Sequence, residues 1–272
     1  MKIELAGEKQ RGLAMGLNEF AGYLAVALAA FGTGWIAAHY GVRPYPFYLG
    51  IGISFTGLLL TVLFVNDTSG HSLTEQKTST IPRLTNIIRQ TTWEHPNLGA
   101  ITQAGLVNNL NDGMVWGLLP MVLIREGFSL AYVGWIAATY PAIWGIGQLF
   151  TGGLSDKMSK KKLLISGMLL QGTAILLMIP AATFWQYLLL AALLGIGTAM
   201  VYPTFLAGIA ENTHPADRPQ SLGIFRFWRD LGYAIGALLT GILADTFGFG
   251  MAIGTIGFLT ILSGIIIKIR FI

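Results

Sequence analysis

Residues 11–41 recur, without a gap, as residues 218–248, so one long apolar stretch appears twice at an offset of 218 − 11 = 207 residues. Ten of the 31 pairs are identical: Arg11/Arg218, Gly16/Gly223, Phe20/Phe227, Leu24/Leu231, Ala27/Ala234, Ala30/Ala237, Thr33/Thr240, Gly34/Gly241, Ala37/Ala244 and Gly41/Gly248. Most other pairs exchange one apolar residue for another, and both copies open on arginine and close on glycine. Two such stretches at a fixed spacing read as related halves of a membrane bundle. The halves are unequal. Apolar segments fill residues 98–217 ahead of the second copy, whereas ten residues precede the first. Projecting back gives 98 − 207 = −109, so the spacing predicts about 110 further N-terminal residues, and the chain reads as a fragment of a larger bundle.

Charged residues make up 11% of the chain and hydrophobic ones 53%. Soluble domains carry about 25% charge, and a soluble fold has no means of hiding so much apolar surface. The expected fold class is therefore all-α, a polytopic membrane protein. Eight segments are long enough to cross a hydrocarbon core, at about 14–38, 44–65, 98–123, 129–154, 162–181, 186–210, 220–245 and 250–270. The first is not a cleaved signal peptide, because Glu4, Glu8 and Glu19 are out of place in one and its twin near the C-terminus is retained. With no cysteine there is no disulfide framework or thiolate site, and the four histidines are scattered rather than at ligand spacing, so neither a metal nor a cofactor is expected.

The loops between these segments alternate in charge. One side collects Lys2, Lys9, Arg11, Lys77, Arg83, Arg89, Lys157, Lys160, Lys161, Lys162, Arg218, Arg226, Arg229, Lys268 and Arg270, which is 15 of the 17 basic residues; the other holds Arg43 and Arg125. By the positive-inside rule the crowded side is cytoplasmic, both termini included, in a multi-pass protein of the cell membrane. The net charge of +4 thus reports topology rather than a nucleic-acid partner. The chain divides into residues 1–65 with two spans, a polar cytoplasmic linker at 66–97, and six spans in 98–272. Within the linker Leu84, Ile87, Ile88 and Thr91 fall at helical spacing, which predicts an interfacial helix at about 82–93.

The fourth segment ends on Gly152-Gly153-Leu154-Ser155-Asp156-Lys157-Met158-Ser159-Lys160-Lys161-Lys162. This resembles the loop pattern G-x-L-[AS]-D-[RK]-x-G-[RK]-[RK] of the Major Facilitator Superfamily, with Ser159 standing where the family prefers glycine. The stretch from Gly223 to Tyr233 is similar to the entry of helix eleven in a branch of that family, and Asn108-Asn109-Leu110-Asn111-Asp112-Gly113 and Tyr202-Pro203 add to the likeness. The resemblance implies a twelve-helix fold of which this chain supplies helices five to twelve, and a third segment, helix seven, that lines the central path. It also implies that Asp156 approaches the start of helix eleven.

Asp112 falls near the middle of the third segment, where a charge is costly and must face protein or water. Asn108, Asn111 and Asp112 share a helix face, with Asn109 about 100° away. Two readings stand: these residues line a solute cavity and Asp112 carries a coupling proton, or they are interhelical hydrogen bonds that hold the bundle. In the fourth segment Tyr140, Trp144, Gln148 and Thr151 form a second stripe, suited either to an organic solute or to aromatic packing. Tyr202 precedes Pro203, where the helix is expected to bend and free backbone groups toward the cavity. Arg226 and Asp230 are spaced to pair, leaving Arg229 to find another partner; with Gly152, Asp156, Lys157, Lys160, Lys161 and Arg218 they form a candidate cytoplasmic gate. Glu19 aligns with Arg226 across the repeat, which makes it a second proton-coupling candidate and a cross-half ion-pair partner. Gly232 and Gly236 have the spacing of a close helix crossing, with Ala25 and Ala29 in the first copy.

An ATP-driven pump needs a phosphate loop of the form G-x-x-x-x-G-K-[ST], which the sequence lacks, and the intramembrane acids Glu19, Asp112 and Asp230 stand on separate segments without a nucleophile or histidine beside them. The reading is a secondary transporter of a small solute, coupled to protons and working by alternating access within the lipid bilayer; the fragment character leaves its activity in question. No enzyme activity and no obligate protein partner are expected. The alternative is a non-transporting sensor or receptor built on the same bundle.

Overall fold

In hydrocarbon a backbone N–H or C=O must be bonded within its own segment, so an apolar chain of this kind folds into helices or a closed barrel. The computed structural model describes residues 11–64, 84–214 and 217–272, with the side chains of 11–19 and 152–157 outside the description; the described residues are helical, without strands. In chain order they form α1 (Arg11–Tyr40), α2 (Tyr45–Phe64), the short α3 (Leu84–Arg89) running into one π turn (Gln90–Glu94), α4 (Pro96–Gly117), α5 (Leu119–Arg125), α6 (Leu130–Lys157), α7 (Lys160–Leu177), α8 (Phe184–Glu211), α9 (Arg218–Phe247) and α10 (Phe249–Arg270). Length and hydropathy mark four of these as able to cross a membrane, Phe20–Tyr40 of α1, α2, α8 and α10, fewer than the eight expected. The reason is visible in α4 and α9. The first carries Asn108, Asn109, Asn111 and Asp112, and the second Arg226, Arg229 and Asp230, so average hydropathy falls although the α4 side chains are turned into the protein.

The repeat has a local structural signature. Gly41 and Gly248 both adopt positive φ, 91° and 87°, and each N–H closes its helix on a carbonyl four residues back, Ala37 and Ala244, at 3.1 Å. Only glycine takes that conformation without steric cost, which is why each copy ends on one. Thr33 and Thr240 likewise donate to Ala29 O and Gly236 O, both at 2.7 Å.

Six helices, α4 and α6 to α10, pack as one bundle; the main pairings are α4 with α9 and α10, α8 with α6 and α7, and α7 with α10. Neighbours in sequence run in opposite directions. At one end Lys160 pairs with Glu211 at 2.6 Å, Asn97 bonds Asn212 at 2.8 Å, and Arg218 bonds the Ala210 carbonyl at 2.8 Å. At the other, Arg125 lies over the Phe249 ring at 5.2 Å and Tyr132 stacks near Phe184 at 4.6 Å. α1 packs along α6, antiparallel, and α2 packs on α1 with no buried residue of its own.

Small residues set these contacts. A Cβ on Gly34 would stand 2.7 Å from Gly134 Cα, one on Gly195 2.7 Å from Tyr140 O, and one on Gly236 2.6 Å from Leu110 O. Gly232 and Gly236 therefore seat α9 on α4, inside the bundle. Ser159 between α6 and α7 has φ −59°, so the turn there does not require glycine. Residues 84–94 of the linker are helical; its residues 66–83 lie outside the described residues. Its π turn is tied to the bundle by Trp228 Nε1 donating to Thr92 Oγ1 (3.1 Å) and by Arg270 donating to Trp93 O (2.6 Å), and His95 then caps α4 by accepting from the Leu98 N–H (3.4 Å).

Candidate functional site

Asp112 is fully buried halfway along the bundle. The Tyr140 hydroxyl of α6 donates to its Oδ1 and lies 3.2 Å from Thr198 Oγ1 of α8, and Thr198 in turn donates to Leu194 O at 3.0 Å. One hydrogen-bonded chain thus joins three helices. The Tyr233 phenol of α9 also faces the carboxyl as a second hydrogen-bonding group and the Arg229 guanidinium acts on it electrostatically, although Oδ2 makes no hydrogen bond of ordinary geometry among the described residues.

Next to this chain lies an aromatic cluster. Trp144, one turn along α6 from Tyr140, has its ring 5.7 Å from both Tyr140 and Tyr202 and 3.6 Å from Tyr23 of α1. Arg229 closes the far side, over the Tyr202 ring at 5.2 Å, with Nη1 donating to Tyr202 Oη at 2.5 Å and Nη2 to Asp230 at 2.6 Å. Asp230 is therefore taken by Arg229, not by Arg226 four residues back, because the guanidinium of Arg229 already points inward to Tyr202; Arg226 is exposed. Hence α4, α6, α8, α9 and α1 all contribute to one polar and aromatic centre.

The buried polar stripe of α4 divides. Asn111 donates to Gln171 Oε1 of α7 at 3.0 Å and accepts from Thr260 Oγ1 of α10 at 2.6 Å, so both ends of its amide are committed to neighbouring helices. Asn108 donates to Asn109 at 3.3 Å, yet Asn108 Oδ1 and Asn109 Nδ2 are otherwise buried without a partner among the described residues, as are Trp144 Nε1 and Gln148 Nε2. Thr151, at the end of the α6 stripe, donates to the Ala199 carbonyl at 2.7 Å. That carbonyl is the one which Pro203 leaves without a helical N–H, so the freed backbone group is satisfied by a side chain of α6.

The gate candidates are spread out. Lys160 is paired with Glu211, and Lys161 lines the same cleft of about 430 Å³, with Asn97 and Asn212 on its walls. Arg218 is bound to the end of α8. Glu19, Gly152, Asp156 and Lys157 are among the residues whose side chains are not described. Sequence reasoning missed Tyr23, Tyr233, Thr198, Gln171 and Thr260. Gln171 had a signal, a lone amide in an apolar helix; the threonines had none, since a hydroxyl that bonds its own helix is common on any membrane helix.

Residues 101–271 match the profile of the Major Facilitator Superfamily. Among curated proteins, the inner membrane transport protein YnfM of Escherichia coli is 27% identical over 58% of this chain and 38% of its own length. An uncharacterized MFS-type transporter of Methanocaldococcus jannaschii is 32% identical over 58% of the chain and 41% of its own. The multidrug resistance protein MdtG of Salmonella paratyphi C is 22% identical over 88% of the chain and 58% of its own. The chain thus spans roughly two-fifths to three-fifths of the length of these relatives in the matched regions.

Proposed function

The chain belongs to the Major Facilitator Superfamily, and from that premise we propose that it is a membrane transporter that moves a small solute by proton-coupled alternating access about the Asp112 centre. The observation that carries this reading is a fully buried carboxyl whose second oxygen, beside the Tyr233 phenol, makes no hydrogen bond of ordinary geometry among the described residues, flanked by further such polar atoms on α4 and α6. A merely structural acid would have its lone pairs satisfied, because an orphaned buried polar group costs about 1–3 kcal/mol. A carboxyl that exchanges a proton or a solute keeps a vacant position instead. Asn108, Asn109, Trp144, Gln148 and Tyr202 join Asp112 and Tyr140 as solute-contacting residues, while the bonds of Asn111 favour a positioning role.

In this reading eight helical segments cross the membrane with both termini cytoplasmic. Residues 1–65 form the last part of a first bundle, 66–97 a cytoplasmic linker and 98–272 the second bundle. The polar helix α4 qualifies as a span because Asp112 faces protein rather than lipid, and α9 because Arg229 turns inward to Tyr202 and neutralises Asp230 beside it. The basic end of the bundle, with Lys160, Lys161, Arg218 and the loop carrying Gly152, Asp156 and Lys157, acts as the cytoplasmic gate; Arg226, Arg229 and Asp230 couple it to the centre, and Glu19 is a second candidate for the proton.

Proteoliposomes holding a pyranine reporter and the carrier that contains these residues test the reading. A solute panel is expected to include one that drives saturable proton movement, and Asp112→Asn is expected to abolish it while leaving the protein level in the membrane unchanged. Wild-type proton movement with wild-type pH dependence in Asp112→Asn would rule out the assigned role.

A further inference from the structure

Resting on the transporter reading, we infer that the solute is a flat aromatic or heteroaromatic molecule bearing oxygen acceptors, and that in this structure the ring of Tyr23 holds its place. Tyr23 and Trp144 have ring centroids 3.6 Å apart at an interplanar angle of 31°. Aromatic pairs in proteins ordinarily sit with centroids 4.5–7 Å apart in offset or edge-on arrangements. The other rings around Trp144 obey that rule, Tyr140 and Tyr202 both at 5.7 Å. The Trp144 slot therefore has walls from the second bundle at ordinary spacing and one face closed by a plate from α1.

Nothing in the repeat requires a ring at that position. The partner of Tyr23 in the second copy, at 23 + 207 = 230, is Asp230. The backbone around it is close-packed, since a Cβ on Gly145 would stand 3.1 Å from Tyr23 Cβ, so α1 is held where its side chain at position 23 must enter the slot.

Buried polar atoms on α6, next to the slot, and on α4, across the Asp112–Tyr140 bond, describe what else the solute carries. Among the described residues, Trp144 Nε1, Gln148 Nε2 and Asn109 Nδ2 are donors without an acceptor of ordinary geometry, and Asn108 Oδ1 and Asp112 Oδ2, the latter beside the Tyr233 phenol, are acceptors without a donor of ordinary geometry. All five lie on α4 and α6. Carbonyl or hydroxyl oxygens on a ring satisfy the donors, and a hydroxyl or ring N–H satisfies Asp112. Arg229 is engaged by Asp230 and Tyr202, so the nearest cation is already spoken for and a carboxylate gains little there. Such a molecule stacks on Trp144 once the two bundles part and withdraw Tyr23.

The test is equilibrium binding of 7-hydroxycoumarin, 4-quinolone and flavone to the full chain in nanodiscs, with 4-hydroxycyclohexanone as an oxygen-bearing probe without a flat ring. At least one flat probe is expected to bind and the cyclohexanone not to. Tyr23→Ala is expected to tighten that binding roughly two- to tenfold, the worth of one competing ring pair, and Trp144→Ala to weaken it tenfold or more. Tyr23→Leu, which keeps apolar bulk against Gly145, gives the same sign if the alanine variant does not fold. Binding that weakens in both Tyr23 variants, or a cyclohexanone that binds as well as the flat probes, would overturn the inference, as would failure of all three flat probes. Asp112-dependent proton movement with no flat-probe binding sinks the ring assignment alone; flat-probe binding without any proton movement sinks the transport reading alone.

Discussion

Replacing Gly236 by alanine adds one methyl group at a tight point of the α4–α9 crossing. Its Cβ would stand 2.6 Å from Leu110 O, 2.9 Å from Leu110 Cα and 3.1 Å from Leu110 C, all backbone atoms of a helix that has no rotamer to yield. The helices must then separate by several tenths of an ångström, and overpacking of this kind costs about 1–3 kcal/mol. Against it stands the intrinsic preference of a helix for alanine over glycine, about 0.5–1 kcal/mol. The expected net loss is about 1–2 kcal/mol, or a fall in Tm of about 2–4 °C for a chain of this size. Gly241, on the same helix, has nothing within 4 Å of its built Cβ, so Gly241→Ala keeps the propensity gain without the clash and should leave Tm unchanged or slightly higher. Thermal denaturation of both variants in the same detergent decides the matter. Equal Tm for Gly236→Ala and Gly241→Ala would show that the crossing is looser than its geometry states.

Asn111→Leu alone orphans the Gln171 carbonyl and is expected to cost about 1–3 kcal/mol, whereas Asn111→Leu with Gln171→Leu should recover most of it, read as Tm in a double-mutant cycle. Thr183→Ala removes a capping box at the start of α8, in which Gln186 Oε1 also accepts from the Thr183 and Ala182 N–H groups, and should lose about 1 kcal/mol in the same assay. Reporter fusions at Ser159 and Ile272 are expected to be active only on the cytoplasmic side; activity on the outer side would reverse the proposed topology.

What the residues disclosed follows how local each signal is. The positions of α1 and α9, their glycine stops and the burial of Asp112 all follow from a single helix, where period, end residues and the cost of a buried charge can be counted along the chain. Tyr140, Trp144 and Gln148 were legible for the same reason, as a stripe at helical spacing. Asn111 was legible as buried but not in its purpose, because its place on the helix face agrees with a cavity as well as with Gln171 and Thr260. The partner of Asp230 was misjudged. Spacing favours Arg226, and only the position of Tyr202 on another helix explains why Arg229 is the one turned inward. Tyr23 carried no signal at all, being one aromatic in an apolar run whose meaning comes from Trp144, more than a hundred residues away.

Each copy of the repeat has two small-residue faces, and the structure uses a different one in each. In α9 the buried face is Gly232 and Gly236, set against Leu106 and Leu110 of α4. In α1 the corresponding residues are Ala25 and Ala29, with Ala25 exposed, and the buried face instead contains Ala27 and Gly34, the latter against Gly134 of α6. Shifted by 207, Ala27 and Gly34 become Ala234 and Gly241, which lie on the exposed side of α9 with open space around Gly241. The ten identities therefore do not record one contact made twice. Between them the copies use two sides of such a helix, α9 packing on α4 and α1 on α6. Because the α1–α6 contact is the one that brings Tyr23 to Trp144, the geometry of the candidate site depends on that crossing. Widening that crossing with Gly134→Leu, whose side chain would meet Gly34 Cα at the first carbon, should loosen α1 and separate the two rings while leaving the Asp112–Tyr140–Thr198 chain in place. Tryptophan fluorescence that stays unchanged in that variant would mean that α1 does not depend on this contact for its position.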